Sequence, residues 1–162
     1  MKLTAFMAMA GLALPGAALA QGAGDAAAGE EHFNSQCVAC HVVRSPDGEV
    51  LAGRNARVGP DLYGVAGRVP GTVEGFRYSP AMVAYGETGA VWEEANFVPY
   101  VQDPTGFLRE ALDDPRARGK MAFQVRDEQV ARDLWAYLAT FGDAGGAAPG
   151  DTPAEGEAAP TQ

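Results

Sequence analysis

The five residues Cys37-Val38-Ala39-Cys40-His41 constrain this chain more than any other stretch. Two thiols three residues apart share one turn, and an imidazole follows directly. That spacing lets both thiols reach the vinyl groups of one porphyrin while the imidazole reaches the iron, so C-x-x-C-H predicts covalent haem attachment. C-x-x-C also occurs in zinc sites and in thioredoxin-like dithiols. A zinc site needs a fourth ligand and usually a second Cys or His pair, yet the chain has two cysteines and, besides His41, only His32. A dithiol site wants a preceding strand within a βαβ pattern, and none is visible around Cys37. Haem attachment is the expectation, with zinc and dithiol chemistry as its alternatives.

The chain ends set the compartment. Lys2 is followed by a nearly uninterrupted apolar run from Leu3 to Leu19 that closes on Ala18-Leu19-Ala20 before Gln21. Residues 1–20 therefore read as a secretory signal peptide with a small-x-small cleavage site. A retained anchor is the alternative, against which Pro15, Gly16 and the small-residue exit argue. Cleavage predicts a periplasmic protein with no stable membrane insertion. Both cysteines belong to the motif, so none is left for a structural disulfide in that oxidising compartment.

Without Lys2 the chain carries eleven basic and twenty-one acidic residues, a net charge of about −10, which excludes nucleic acid as a partner. Residues 143–162 are acidic and rich in Ala, Gly and Pro, without apolar periodicity, and read as a disordered tail. Residues 21–142 are left as one domain.

Helical signals dominate that domain. Asp25 is a candidate N-cap for a first helix that carries Gly29 and Phe33 at four-residue spacing from Cys37 and leads into the motif. Gly29 is expected to let the two terminal helices cross closely. Val130, Ala131, Leu134, Tyr137, Leu138 and Phe141 form the apolar stripe of the last helix, which Gly142 is expected to stop as its C′ residue. Three shorter helices are predicted between them: 80–85 after a Ser79 cap, 93–102 with a kink or delay at Pro99, and 104–112 after an Asp103 cap. Residues 42–75 are glycine-rich, show no sustained period of two, and read as loop wrapped about the cofactor.

Iron held by one His needs an open sixth position or a second protein ligand. Outside the signal segment the thioethers are Met82 and Met121, and the other imidazole is His32. His32 lies on the proximal helix, five residues before Cys37, too near the motif to reach across a porphyrin. Met82 reads as core filler in a short helix. Met121 sits in the glycine-containing loop Arg118-Gly119-Lys120-Met121-Ala122-Phe123, eighty residues after His41, where a mobile chain can bring its sulfur to the opposite face.

With these residues in place the chain resembles a class I cytochrome c of the long bacterial periplasmic c-two type. The resemblance spans about residues 25–142. It rests on Gly29 and Phe33, on Gly59-Pro60-Asp61-Leu62-Tyr63-Gly64, on Gly67-Arg68, on Gly75-Phe76-Arg77-Tyr78-Ser79, on Trp92, Tyr100 and Pro104, and on Leu134, Ala136, Tyr137 and Leu138. It implies an all-α class I cytochrome c fold of about five short helices and long loops around one haem c, covalent through Cys37 and Cys40, with His41 and Met121 on the iron. By the same similarity, the Pro60 carbonyl accepts from His41. Arg68, Tyr78 and Trp92 bind the propionates, Tyr100 donates to the Met121 sulfur, and Phe123 shields the haem edge. Two departures stand out: Met82 occupies a position where relatives commonly have Asn, and Gly119 one where Thr is frequent.

Two protein ligands leave no site for oxygen, peroxide or substrate, so the implied function is electron transfer by a monomeric carrier and not catalysis. The implied partners are membrane redox complexes, a quinol-oxidising one and an oxidase, reductase or photosynthetic reaction centre, met by transient electrostatic docking. Arg109, Arg116, Arg118, Lys120 and Arg126 cluster about Met121 as a candidate docking patch or a merely solvated face. A haem c subunit stably attached to a larger respiratory complex is the alternative.

Overall fold

Asp25 starts the first helix by local hydrogen bonding. Its carboxylate accepts from the amides of Ala27 (2.8 Å) and Ala28 (3.2 Å), two donors that a helix N-terminus would leave without partners. The computed structural model describes residues 23–142, so the expected signal peptide and acidic tail lie outside the described residues. Helix α1, Ala26–His32, runs without a break into a single π-turn, Phe33–Cys37, which delivers the chain to the motif.

Residues 42–75 contain more order than expected. Strands β1 (Val42–Arg44) and β2 (Val50–Gly53) pair antiparallel, with a register shift between Val43 and Arg44. The loop reading is corrected here. Ser45-Pro46-Asp47-Gly48 is a turn in which the Gly48 amide donates to the Ser45 carbonyl (2.9 Å), and Gly48 takes a φ of +89° that suits glycine. Strands of three and four residues are too short for a period of two to register.

The remaining helices fall close to expectation. Helix α2, Pro80–Glu87, is capped by Ser79; α3 is Glu94–Gln102; α4, Pro104–Ala111, is capped by Asp103. Pro99 does not interrupt α3. It removes one intrahelical bond, to the Ala95 carbonyl, and both residues are exposed, so the loss falls on the solvent side of the helix. Helix α5, Glu128–Leu138, ends four residues before Gly142, so Gly142 is not its C′ residue. Thr140 and Phe141 continue with tight bonds to the Tyr137 and Leu138 carbonyls. Gly142 serves another purpose: it has a φ of +110°, and a Cβ there would lie 2.6 Å from the Gly64 Cα.

The terminal helices cross at backbone contact. A Cβ on Gly29 would sit 2.0 Å from the Asp133 carbonyl oxygen, and one on Gly24 2.1 Å from that of Arg132. Phe33 fills the adjoining space with its ring 5.7 Å from that of Tyr137. The buried Asp133 carboxylate accepts from the Asp25 amide (2.8 Å) and Gln129 Nε2 (2.9 Å), and lies 3.9 Å from His32 Nε2. His32 thus belongs to the helix crossing. Around it the core gathers Val43, Met82, Trp92, Phe97, Leu108 and Leu134.

Candidate functional site

The motif closes on itself. The amides of Cys40 and His41 both donate to the Cys37 carbonyl (3.0 and 2.9 Å), which holds the two thiols and the imidazole on one turn. The two cysteines are free and partly buried. Burial, reinforced by the Cys40 thiol, pushes the Cys37 thiol up to about 11.

Beneath His41 the chain from Gly59 to Asp61 forms a cradle. A Cβ on Gly59 would fall 2.4 Å from His41 Cε1, so only glycine leaves room for the ring. The Gly59 amide donates to the Cys40 carbonyl (2.7 Å), and the Leu62 amide to that of Val42 (2.9 Å). Between these two bonds Pro60 presents its carbonyl 2.9 Å from His41 Nδ1. A carbonyl only accepts, so Nδ1 carries the proton and Nε2 keeps its lone pair. Burial lowers the His41 pKa, opposed by the Pro60 bond, and keeps the ring in the neutral form a metal ligand needs.

A second group forms on the other loops. Arg68 reaches the carbonyls of Tyr63 (2.7 Å) and Asp61 (2.9 Å) through its two terminal nitrogens. Its burial lowers the guanidinium pKa, while nearby Tyr78 and Asp61 oppose that shift. The Trp92 amide donates to the Arg68 carbonyl (2.9 Å), and the indole lies 4.9 Å from the Tyr100 ring at a tilt of 51°. Tyr78 is raised by burial against the pull of Arg68; Tyr100 is pushed up to about 12 by burial and then by Tyr78. Arg68, Tyr78 and Tyr100, all partly buried, and the buried Trp92 thus fall in one neighbourhood.

Met121 is half-buried against the core, and Phe123, two residues on, is 46% exposed. Among the described residues no hydrogen bond joins Tyr100 to the Met121 sulfur. Sequence reasoning overlooked Asp61 as an anchor. Its Oδ1 accepts from the amides of Arg44 (3.1 Å) and Tyr63 (2.9 Å), which fixes the chain just past Pro60. An Asp two residues ahead of a tyrosine in a glycine-rich stretch is the local signal for such a bond.

These groups fit a covalent haem: two cysteines on one turn, an oriented imidazole, and a partly buried cation near phenol and indole groups. No protein-family model matches the chain. It is 60% identical over 119 residues to cytochrome c2 of Rhodovulum adriaticum, covering 74% of this chain and 94% of that one. It is 42% identical over 161 residues to cytochrome c-550 of Paracoccus versutus, covering 98% and 99%. The crystal structure of cytochrome c2 from Rhodobacter sphaeroides superposes with a TM-score of 0.71 at 47% identity, covering 73% and 96%. The chain belongs to the cytochrome c2 family. It has the class I cytochrome c fold, and its cofactor is one haem c, attached through Cys37 and Cys40. As a cytochrome c2 it is a mono-haem electron carrier. Among the described residues no helix is long and apolar enough to cross a membrane.

Proposed function

We propose that this cytochrome is a soluble, monomeric periplasmic shuttle, not an enzyme, in which His41 and Met121 would be the two residues that hold the haem iron. It carries single electrons between a quinol-oxidising membrane complex and an oxidase, reductase or photosynthetic reaction centre. The observation that carries the reading is the 2.9 Å contact of His41 Nδ1 with the Pro60 carbonyl, which commits one nitrogen and leaves Nε2 for a metal. Haem c, when bound, supplies the one-electron couple. The chain's own part is to hold two ligands in place in both oxidation states, so that little reorganisation accompanies the transfer. A thioether from Met121 favours the ferrous state and raises the potential relative to a second imidazole.

Arg68, Tyr78 and Trp92 serve the propionates, since buried negative charge needs donors and a cation. Tyr100 is the donor toward the Met121 sulfur in this reading, and Phe123 the shield of the haem edge. For docking, Arg116, Arg118 and Arg126 are exposed, whereas Arg109 Nε is turned onto the Ala117 carbonyl (3.2 Å). Such a patch on an acidic protein supports encounters that are brief and screened by salt.

The test is the spectrum of the oxidised holoprotein beside Met121→Ala. Wild type is expected to show the weak near-infrared sulfur-to-iron band and, when reduced, to resist carbon monoxide; Met121→Ala is expected to lose the band and bind the gas. A wild type that lacks the band, or takes up carbon monoxide readily, overturns the reading.

A further inference from the structure

Asp61 follows directly on the carbonyl that orients His41, and both of its oxygens are engaged. Oδ1 accepts from the Arg44 and Tyr63 amides (3.1 and 2.9 Å), while Oδ2 lies 3.9 Å from Arg44 Nε. The Arg44 side chain is held elsewhere too, with Nη2 donating to Asn55 Oδ1 (2.8 Å) and Nη1 to the Gly48 carbonyl (3.4 Å). The hairpin thus presents a fixed cation to the cradle, and the cradle answers with a carboxylate. Their side chains are 32% and 27% exposed, so water screens the two charges only in part. An asparagine at position 61 could accept the same two amide bonds. Anchoring alone therefore does not call for the charge.

We infer that Arg44 and Asp61 form a charge-compensated pair that trims the reduction potential from the His41 side, Asp61 favouring the ferric state and Arg44 offsetting it. This rests on the reading of His41 as an iron ligand. Oxidation adds one positive charge at the haem, which a carboxylate beside the Pro60 carbonyl stabilises and an arginine opposes. The carboxylate also acts through the hydrogen bond, because a more negative surrounding of that carbonyl draws on the Nδ1 proton and makes the imidazole a stronger donor. Its charge is felt at the Arg68 guanidinium as well, which the same reading places at the propionates. Asp61 is thus a positioning residue by its two amide bonds and a tuning residue by its charge.

The test is spectroelectrochemical titration of the holoprotein against a fixed mediator. Asp61→Asn, which keeps an acceptor for both amides, is expected to favour reduction about twofold to threefold, or about 18 to 28 mV for one electron. Arg44→Met is expected to favour oxidation by a similar factor, and the double variant to return to within about 1.3-fold of wild type. Glu74→Gln removes an equal charge from an exposed residue lining the same recess and should also stay within about 1.3-fold. Exchange of the His41 Nδ1 proton with water should accelerate in Asp61→Ala, which loses the anchor, and not in Asp61→Asn. An Asp61→Asn potential equal to wild type, single variants that shift the same way, or a Glu74→Gln shift as large as that of Asp61→Asn overturns the assignment. If the ferrous wild type shows no imidazole protons displaced by the haem ring current, the ligand reading fails by itself, and opposed shifts of the two single variants still decide whether the pair acts on the haem.

Discussion

His41 works because its two nitrogens are given different partners. Pro60 takes the proton-bearing one, and Gly59 leaves space for the ring to turn toward it. Cys37, Cys40 and His41 were legible from spacing alone, since attachment chemistry needs those residue types in that order. The Pro60 contact is 19 residues away, and only a resemblance or a structure could pair it with His41. Tyr100 shows what burial does to a single side chain. Its phenol is pushed from 10.0 to about 12, so its contribution to folding is intact below pH 10 and is lost as the pH rises through 12. That loss is on the order of 2 kcal/mol. Guanidinium midpoints measured from pH 9 to 12 should therefore fall more steeply for wild type than for Tyr100→Phe, and parallel slopes would count against it.

Among the elements, helices were easier to read than strands because caps are local. Asp25, Ser79, Asp103 and Asp127 each bond to amides two or three residues on. The hairpin escaped because its pairing is cross-strand and its strands are short, although Pro46-Asp47-Gly48 marked the turn. The end of α4 offers a test. Asp113 has a φ of +48°, its amide donates to the Glu110 carbonyl (3.2 Å), and the Asp114 amide donates to that of Arg109 (3.0 Å). This is a Schellman closure with an aspartate where glycine is most at ease. Asp113→Gly should stabilise the protein by about 0.5 kcal/mol, raising Tm by roughly 2 °C in calorimetry.

At the scale of the whole molecule, the terminal helices close the fold around the site. Gly29 places the α1 backbone against the Asp133 carbonyl, and that contact cannot give way without moving two helices. Gly29→Ala should cost about 3 kcal/mol, a Tm fall of roughly 10 °C, and unchanged stability would show that α1 shifts freely.

The amino-acid order alone determined the cofactor, the helical class and the caps, because attachment chemistry and helix termini are written within a few neighbouring residues. Only the tertiary structure decided that Asp61 anchors to the Arg44 amide, that Gly142 makes room for Gly64 instead of ending α5, and that Lys120 meets Arg77. Each of those joins residues distant along the chain, and such contacts exist only once packing has brought the backbones together.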